Sequence, residues 1–295
     1  RDTAMAEQLV FAITPDRSVR TQRLKRNECD IAVLSNPADV QELARHPQIQ
    51  LASVPGLNTG FLAYNLKHPP LDRLAVRQAL DMAIDKKALL ATIYAGTGEL
   101  ATSPMPRANW AHDETLQPVP HAPEKARALL DQAGVKQLNL TLWAMPVQRA
   151  YNPNAQLMAQ MIQADWARVG VTARIVSYDW GEYLKRVDRG EHDTALLGWG
   201  GDPEPADTAG QLICGAASAS FWCDKAYDEA VLQAKQTLDQ AQRRKLYARA
   251  QRIAMAALPW SPIAHGRITV ALRKNVQGFK LGLDGGIRFD GVTVR

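Results

Sequence analysis

Between Leu138 and Gly200 the hydrophobic pattern alternates strand, helix, strand, helix, strand, and few folds accept that order. Leu138-Asn139-Leu140-Thr141-Leu142-Trp143 has the two-residue period of a strand. After Arg149, apolar residues at Met158, Met161, Ile162, Trp166 and Val169 recur at helical spacing, and Gly170 ends the run. A strand over Val171–Tyr178, a short helix over Trp180–Arg189 and a strand over Thr194–Trp199 follow. Strands separated by helices pair in parallel through right-handed crossovers, so this stretch predicts an α/β layer with its loops at one sheet edge.

Two of those loops carry chemistry. The strand Thr194-Ala195-Leu196-Leu197 runs into Gly198-Trp199-Gly200-Gly201-Asp202, which places an aromatic wall and a carboxylate at the mouth of the sheet. The bland alternative is a core Trp and an Asp that caps the next turn. The strand ending at Trp143 delivers Arg149 and Tyr151 into its own loop. If both strands lie in one parallel sheet, Arg149 and Asp202 share an edge, and a small zwitterion could span the opposite charges.

Before this layer, Leu9–Ile13, Ile31–Leu34 and Ile49–Val54 read as strands and Pro37–His46 as a short helix. Pro55-Gly56-Leu57-Asn58-Thr59-Gly60 breaks the pattern as a hinge or crossover would, ahead of a strand over Phe61–Asn65. Helices are expected over Leu74–Ile84, over Lys86–Tyr94 with Asp85 as cap, and over Glu124–Ala133 between Pro123 and Gly134. After the layer, Tyr227–Leu258 reads as two helices broken near Leu238-Asp239. Pro259–His265 then leads into a returning strand over Ile268–Leu272.

The 295 residues suggest about two domains. The net charge of +5 is spread without a run of five basic residues, which argues against a nucleic-acid partner. No apolar stretch approaches a membrane span, and Arg1-Asp2-Thr3-Ala4 is not a signal peptide, so the N-terminus says nothing about export. Cys214 and Cys223 flank a small-residue loop while Cys29 stands alone. A bridge between the pair would contribute about 2.5 to 3 kcal/mol on the chain-entropy model and imply an oxidising compartment; free buried thiols are the alternative.

Catalytic patterns are missing: no Gly-x-Ser-x-Gly elbow, no phosphate-binding loop and no His-Glu-x-x-His. His46, His68, His112, His121, His192 and His265 show no metal-ligand spacing and read as surface or loop residues. Asp202, Glu204 and Asp207 could hold a cation or do acid–base work, as a metal-dependent peptide hydrolase would require, but Pro203 and Pro205 and the lack of a partner histidine favour a solvated loop. No cofactor and no metal are expected.

Several motifs together resemble one family. They are Met145-Pro146-Val147-Gln148-Arg149 with Tyr151-Asn152-Pro153-Asn154, Trp180-Gly181-Glu182-Tyr183-Leu184-Lys185-Arg186, Gly198-Trp199-x-Gly201-Asp202, Pro69-Pro70-Leu71-Asp72 and Val76-Arg77-Gln78-Ala79-Leu80. The chain is similar over nearly its whole length to dipeptide receptors among the family 5 extracellular solute-binding proteins of peptide ABC transporters. The resemblance implies the α/β, two-lobed (type II, flytrap) periplasmic-binding-protein fold and a periplasmic, monomeric, non-catalytic receptor. Its partners would be a dipeptide or short peptide and an inner-membrane permease. Within the family, receptors for haem, antimicrobial peptides or other solutes are the alternatives.

By resemblance, Asp202 receives the peptide ammonium and Arg149 its carboxylate, with Trp199, Tyr151 and Gly201 in the same cleft. Pro203-Glu204-Pro205-Ala206 departs from the usual sequence after the aspartate, and the Cys214–Cys223 loop is shorter than usual. Preference among dipeptides is therefore left open. Family members are far longer, so the chain reads as a C-terminal fragment with the N-terminal part of the fold absent. Residues 1–55 would be the remainder of lobe I, 56–267 the ligand-binding lobe II, and 268–295 the return to lobe I. In the resembling proteins the cysteine at the place of Cys29 pairs with one near the N-terminus, which leaves Cys29 free here. The same absence would expose apolar sheet.

Overall fold

A computed structural model describes residues 6–295, and the Arg1–Ala4 start lies outside them. The chain opens with α1 (Arg17–Lys25), β1 (Ile31–Leu34), α2 (Pro37–Ala44), β2 (Ile49–Pro55), β3 (Asn58–Tyr64), α3 (Leu74–Ala83), α4 (Lys86–Leu89, continued by a π-turn at Leu90–Tyr94) and β4 (Gly98–Leu100). It continues through α5 (Pro123–Gln132), β5 (Leu138–Trp143), α6 (Ala155–Arg168), β6 (Val171–Val176), α7 (Trp180–Asp188), β7 (Thr194–Gly200) and α8 (Pro205–Gly210). Next come α9 (Lys225–Gln236), α10 (Gln240–Ala257) and β8 (Trp260–Arg273), then four two-residue strands, β9 (Val276–Gln277), β10 (Lys280–Leu281), β11 (Ile287–Arg288) and β12 (Thr293–Val294).

Local chemistry sets the element ends. The Asp85 carboxylate accepts from the Ala88 amide at 2.9 Å to start α4, and the Asn154 side chain accepts from Leu157 at 3.1 Å to start α6. Gly134 and Gly170 follow α5 and α6 with φ of +69° and +84°, the left-handed stop that a Cβ disfavours. On α6 the stripe Met158, Ile162 and Trp166 is buried, and the Trp166 indole donates to the Leu80 carbonyl at 3.0 Å. Each such side chain contributes about 1.5 to 3 kcal/mol by leaving water.

The main sheet has the order β1-β8-β3-β7-β5-β6, with β2 and β4 also on β8. β5 pairs in parallel with β6 and with β7, as the alternation of periods predicts, and β7 is antiparallel to β3. The loops after Trp143 and after Gly200 therefore leave the same edge, because Leu142 is opposite Thr194 and Trp143 opposite Ala195. Leu140, Leu142, Leu196, Leu62 and Ile162 sit in the large core between this sheet and its helices.

β8 is longer than the sequence suggests: it begins at Trp260 rather than Ile268 and runs for 14 residues. Pro262 is tolerated because it stands opposite Phe61 at a register shift, where a missing amide hydrogen does least harm. Up to Gly266 the strand pairs with β3 and β4. From Arg267 onward it pairs with β2 and β1. Residues 56 and 57 make the parallel passage from β2 to β3, with the Gly56 amide on the Gly266 carbonyl at 3.1 Å.

Two expectations fail here. Leu9–Ile13 forms no strand and stays largely in water, Ile13 being 88% exposed, because no sheet edge accepts its backbone and only Phe11 finds an aromatic neighbour, Phe289. The β1-β8-β2 layer is not a bare apolar sheet either. Leu24, Leu34, Leu43 and Ile49 pack on one face, and Leu272, Val276 and Val292 on the other. Cys214 and Cys223 are bonded, with Cα atoms 4.4 Å apart. Cys29 is a free, half-buried thiol whose pKa is raised by burial.

Candidate functional site

At the end of β7 the backbone is held from two sides. The Gly201 amide donates to the Leu57 carbonyl at 2.6 Å, and a Cβ on Gly201 would come within 2.5 Å of the Thr208 hydroxyl. One oxygen of Asp207 accepts both from the Trp199 indole at 3.0 Å and from the Asp202 amide at 3.2 Å. The half-buried Trp199 ring and the exposed Asp202 carboxylate are thus fixed relative to each other by a third side chain. Asp207 is not the solvated loop residue that the proline pattern suggested.

The segment from Pro203 to Pro205 departs from that pattern too. Pro205 takes the first turn of α8, where its missing amide hydrogen is no loss, and the Glu204 carboxylate accepts from the Ala206 amide at 3.3 Å. Glu204 is also paired with Arg243. Of the three carboxylates, only Asp202 is left facing water with no ion pair among the described residues.

At the end of β5, Arg149 and Asn152 close a tight turn by exchanging backbone hydrogen bonds of 3.0 Å in each direction. The Tyr94 hydroxyl donates to the Tyr151 carbonyl at 2.6 Å. The Tyr151 ring packs across Gly198, the residue before Trp199, where a Cβ would lie only 2.1 Å from Cδ2. Burial raises the Tyr151 pKa, and the charge of nearby Arg149 acts the other way. The exposed Arg149 guanidinium lies 5.8 Å from the Trp180 ring centroid and bonds to the Gln148 carbonyl at 3.0 Å.

Tyr151 therefore packs on the Gly198 face of β7, and Trp199, the next residue of the strand, belongs to the opposite face. Arg149 and Asp202 do not touch. They extend from the carboxyl ends of neighbouring parallel strands, a cation and an anion with no ion-pair partner among the described residues. Such an arrangement can orient a ligand with separated opposite charges. Sequence reasoning missed Tyr94, which holds the Tyr151 backbone from a distant helix, and read Asp207 as a solvated loop carboxylate where it holds the Asp202 backbone.

Three histidines are also placed differently from expectation. His112, His192 and His265 are 4%, 0% and 2% exposed. His265 Nδ1 faces the Asn58 carbonyl at 3.0 Å, and burial pushes its pKa down to about 3. His192 Nε2 donates to the Ala219 carbonyl at 2.7 Å, and burial lowers its pKa to about 4. Both are neutral packing residues. No three His, Cys, Asp or Glu side chains among the described residues cluster as metal ligands do.

Comparison with known proteins assigns the class. The chain belongs to family 5 of the bacterial extracellular solute-binding proteins, whose middle-region model matches residues 1–221. It is 48% identical over 286 residues to di/tripeptide-binding protein 1 of Pseudomonas aeruginosa (strain UCBPP-PA14), covering 95% of this chain and 53% of that protein. The crystal structure of a dipeptide-binding protein from Pseudoalteromonas sp. SM9913 in complex with Met-Leu superposes with a TM-score of 0.88 at 35% identity, over 96% of this chain and 57% of that one. Haem-binding protein A of Haemophilus influenzae (strain ATCC 51907 / DSM 11121 / KW20 / Rd) is 35% identical over 98% of this chain and 54% of its own length. The chain spans about half the length of the curated relatives it matches.

Proposed function

We propose that the full-length protein is a non-catalytic periplasmic receptor that binds a dipeptide and delivers it, as a monomer, to an inner-membrane ABC permease. Arg149 receives the peptide carboxylate and Asp202 its ammonium, while Trp199, Tyr151 and Gly201 line the space between. The observation that carries this reading is the pair of opposite charges, without ion-pair partners among the described residues, in the loops at the carboxyl ends of β5 and β7. The relatives named for di- and tripeptides, and the neighbour holding Met-Leu, support it. Residues 56–267 act as the ligand-binding lobe, and residues 1–55 and 268–295 belong to the other.

Charge-assisted hydrogen bonds contribute about 1.5 to 3 kcal/mol each when both partners leave water. Because each added residue moves a peptide carboxylate by about 3.5 Å, two fixed charges measure length as well as charge. Hydrolysis is the rival chemistry. Two of the three nearby carboxylates are already engaged, Asp207 by Trp199 and Glu204 by Arg243, which leaves Asp202 without a carboxylate to share a metal ion or a proton.

Calorimetric titration of the full-length protein with di- and tripeptides, haem and an oligosaccharide tests the proposal. Binding of dipeptides without release of free amine is expected. Tight binding of haem with none of any dipeptide overturns it.

A further inference from the structure

We propose that Gly60, Gly198 and Gly266 are positioning residues for Arg149. They open a gap across β3, β7 and β8 into which the Ala150–Tyr151 backbone and the Tyr151 ring sink, and this fixes where the guanidinium is presented. The inference rests on the reading that Arg149 receives a ligand carboxylate.

The contacts leave no room for a side chain at any of the three. A Cβ on Gly60 would lie 2.1 Å from the Tyr151 carbonyl oxygen, one on Gly198 2.1 Å from the Tyr151 ring, and one on Gly266 2.0 Å from the Ala150 oxygen. None of the three has positive φ, so backbone freedom does not account for the glycines; the missing volume does. Gly60 and Gly198 are register partners, which puts their empty positions on the same face and side by side. Gly266 is opposite Gly98, where a Cβ would come within 2.6 Å of the Tyr94 ring.

Around this gap the polar contacts all act to hold the turn down. Tyr94, fully buried, donates to the Tyr151 carbonyl at 2.6 Å. The Asn58 side chain donates to the Gly266 carbonyl at 2.9 Å and accepts from its amide at 2.8 Å, which holds that part of the floor in place. Arg149 closes the same turn, exchanging backbone hydrogen bonds of 3.0 Å with Asn152. Position passes from the glycine gap to the Ala150–Tyr151 backbone and ring, and along the hydrogen-bonded turn to Arg149.

The test is calorimetry of the full-length protein with a dipeptide, alongside urea unfolding. Gly198→Ala is expected to weaken binding tenfold or more while unfolding stays cooperative. In a Tyr151→Ala background, where the ring is gone, the same substitution should change affinity by less than twofold. Tyr94→Phe adds no bulk and should weaken binding at least threefold; it decides the matter if Gly198→Ala does not fold. A smaller loss in Tyr94→Phe, or an equal loss from Gly198→Ala in both backgrounds, overturns the proposal. If the unsubstituted protein binds no dipeptide, the reading of Arg149 has failed and unfolding still judges the gap. Destabilisation by Gly198→Ala that is relieved in the Tyr151→Ala background supports it, and undiminished destabilisation refutes it.

Discussion

Arg149 and Asp202 extend from neighbouring parallel strands, yet the two strand ends are held by different means. Behind Arg149 the main chain is pressed against glycines and pinned by the buried Tyr94 hydroxyl, while the guanidinium itself reaches into water. Before Asp202 the backbone is held by hydrogen bonds, the Gly201 amide on the Leu57 carbonyl and one oxygen of Asp207 that holds the Trp199 indole and the Asp202 amide together. One end is set chiefly by shape and the other by hydrogen bonds, among them an acceptor shared by Trp199 and Asp202. Shape tolerates polar substitution and fails on added volume, whereas a shared acceptor fails when one atom changes.

The largest expected effect treats the two ends alike. Arg149→Ala or Asp202→Ala should each weaken dipeptide affinity a hundredfold or more, since a ligand charge buried without its partner costs about 3 to 5 kcal/mol. The double substitution should cost less than the sum, because both act on one ligand. Titration calorimetry checks both, and a loss below threefold for Arg149→Ala would show that the carboxylate is held elsewhere.

A smaller effect separates the ends. Asp207→Asn keeps the volume but turns one oxygen into a donor and removes the charge. We expect roughly a tenfold loss of affinity, in keeping with about 1 to 3 kcal/mol for leaving the indole and amide donors poorly matched. Emission from Trp199 should shift in this variant and stay unchanged in Tyr94→Phe. Matching shifts in both would erase the distinction between the ends.

The strand and helix order from Leu138 to Gly200 was readable because each element carries its own period: β5 falls on Leu138–Trp143 as expected, and Arg149 and Asp202 leave the shared edge. What was not readable depends on distant neighbours. Pro203 and Pro205 look like loop punctuation, yet the second opens α8, and only the fold brings Asp207 back onto Trp199. Leu9–Ile13 looks like a strand, but a strand exists only where an edge accepts it. Histidine burial likewise has no local signature: His192 and His265 were read as surface residues and are core.

Those histidines give an effect on stability alone, spread over several pH units, and one that falls on both ends equally. Their folded pKa values, about 4 and about 3, lie below the ordinary value of 6.5, so the unfolded chain binds more protons in between. Their contribution is complete above pH 6.5 and is lost as pH falls toward the folded values, at up to about 1.4 kcal/mol per pH unit for each group. Urea midpoints should be flat from pH 7 to 8 and decline below 6.5, and His265→Gln should reduce the slope. An unchanged slope in that variant would remove His265 as its source.

β8 carries a mechanical consequence. Its 14 residues change neighbours between Gly266 and Arg267 without a turn, and Pro55–Leu57 crosses beside it, tied by the Gly56 amide. The two parts of the sheet are therefore joined by a torsion bar rather than a slack tether. Any reorientation between them has to be absorbed as rotation about a few φ and ψ angles in two adjacent strands. Its amplitude is then limited by how far those bonds can twist before the Asn58–Gly266 hydrogen bonds break.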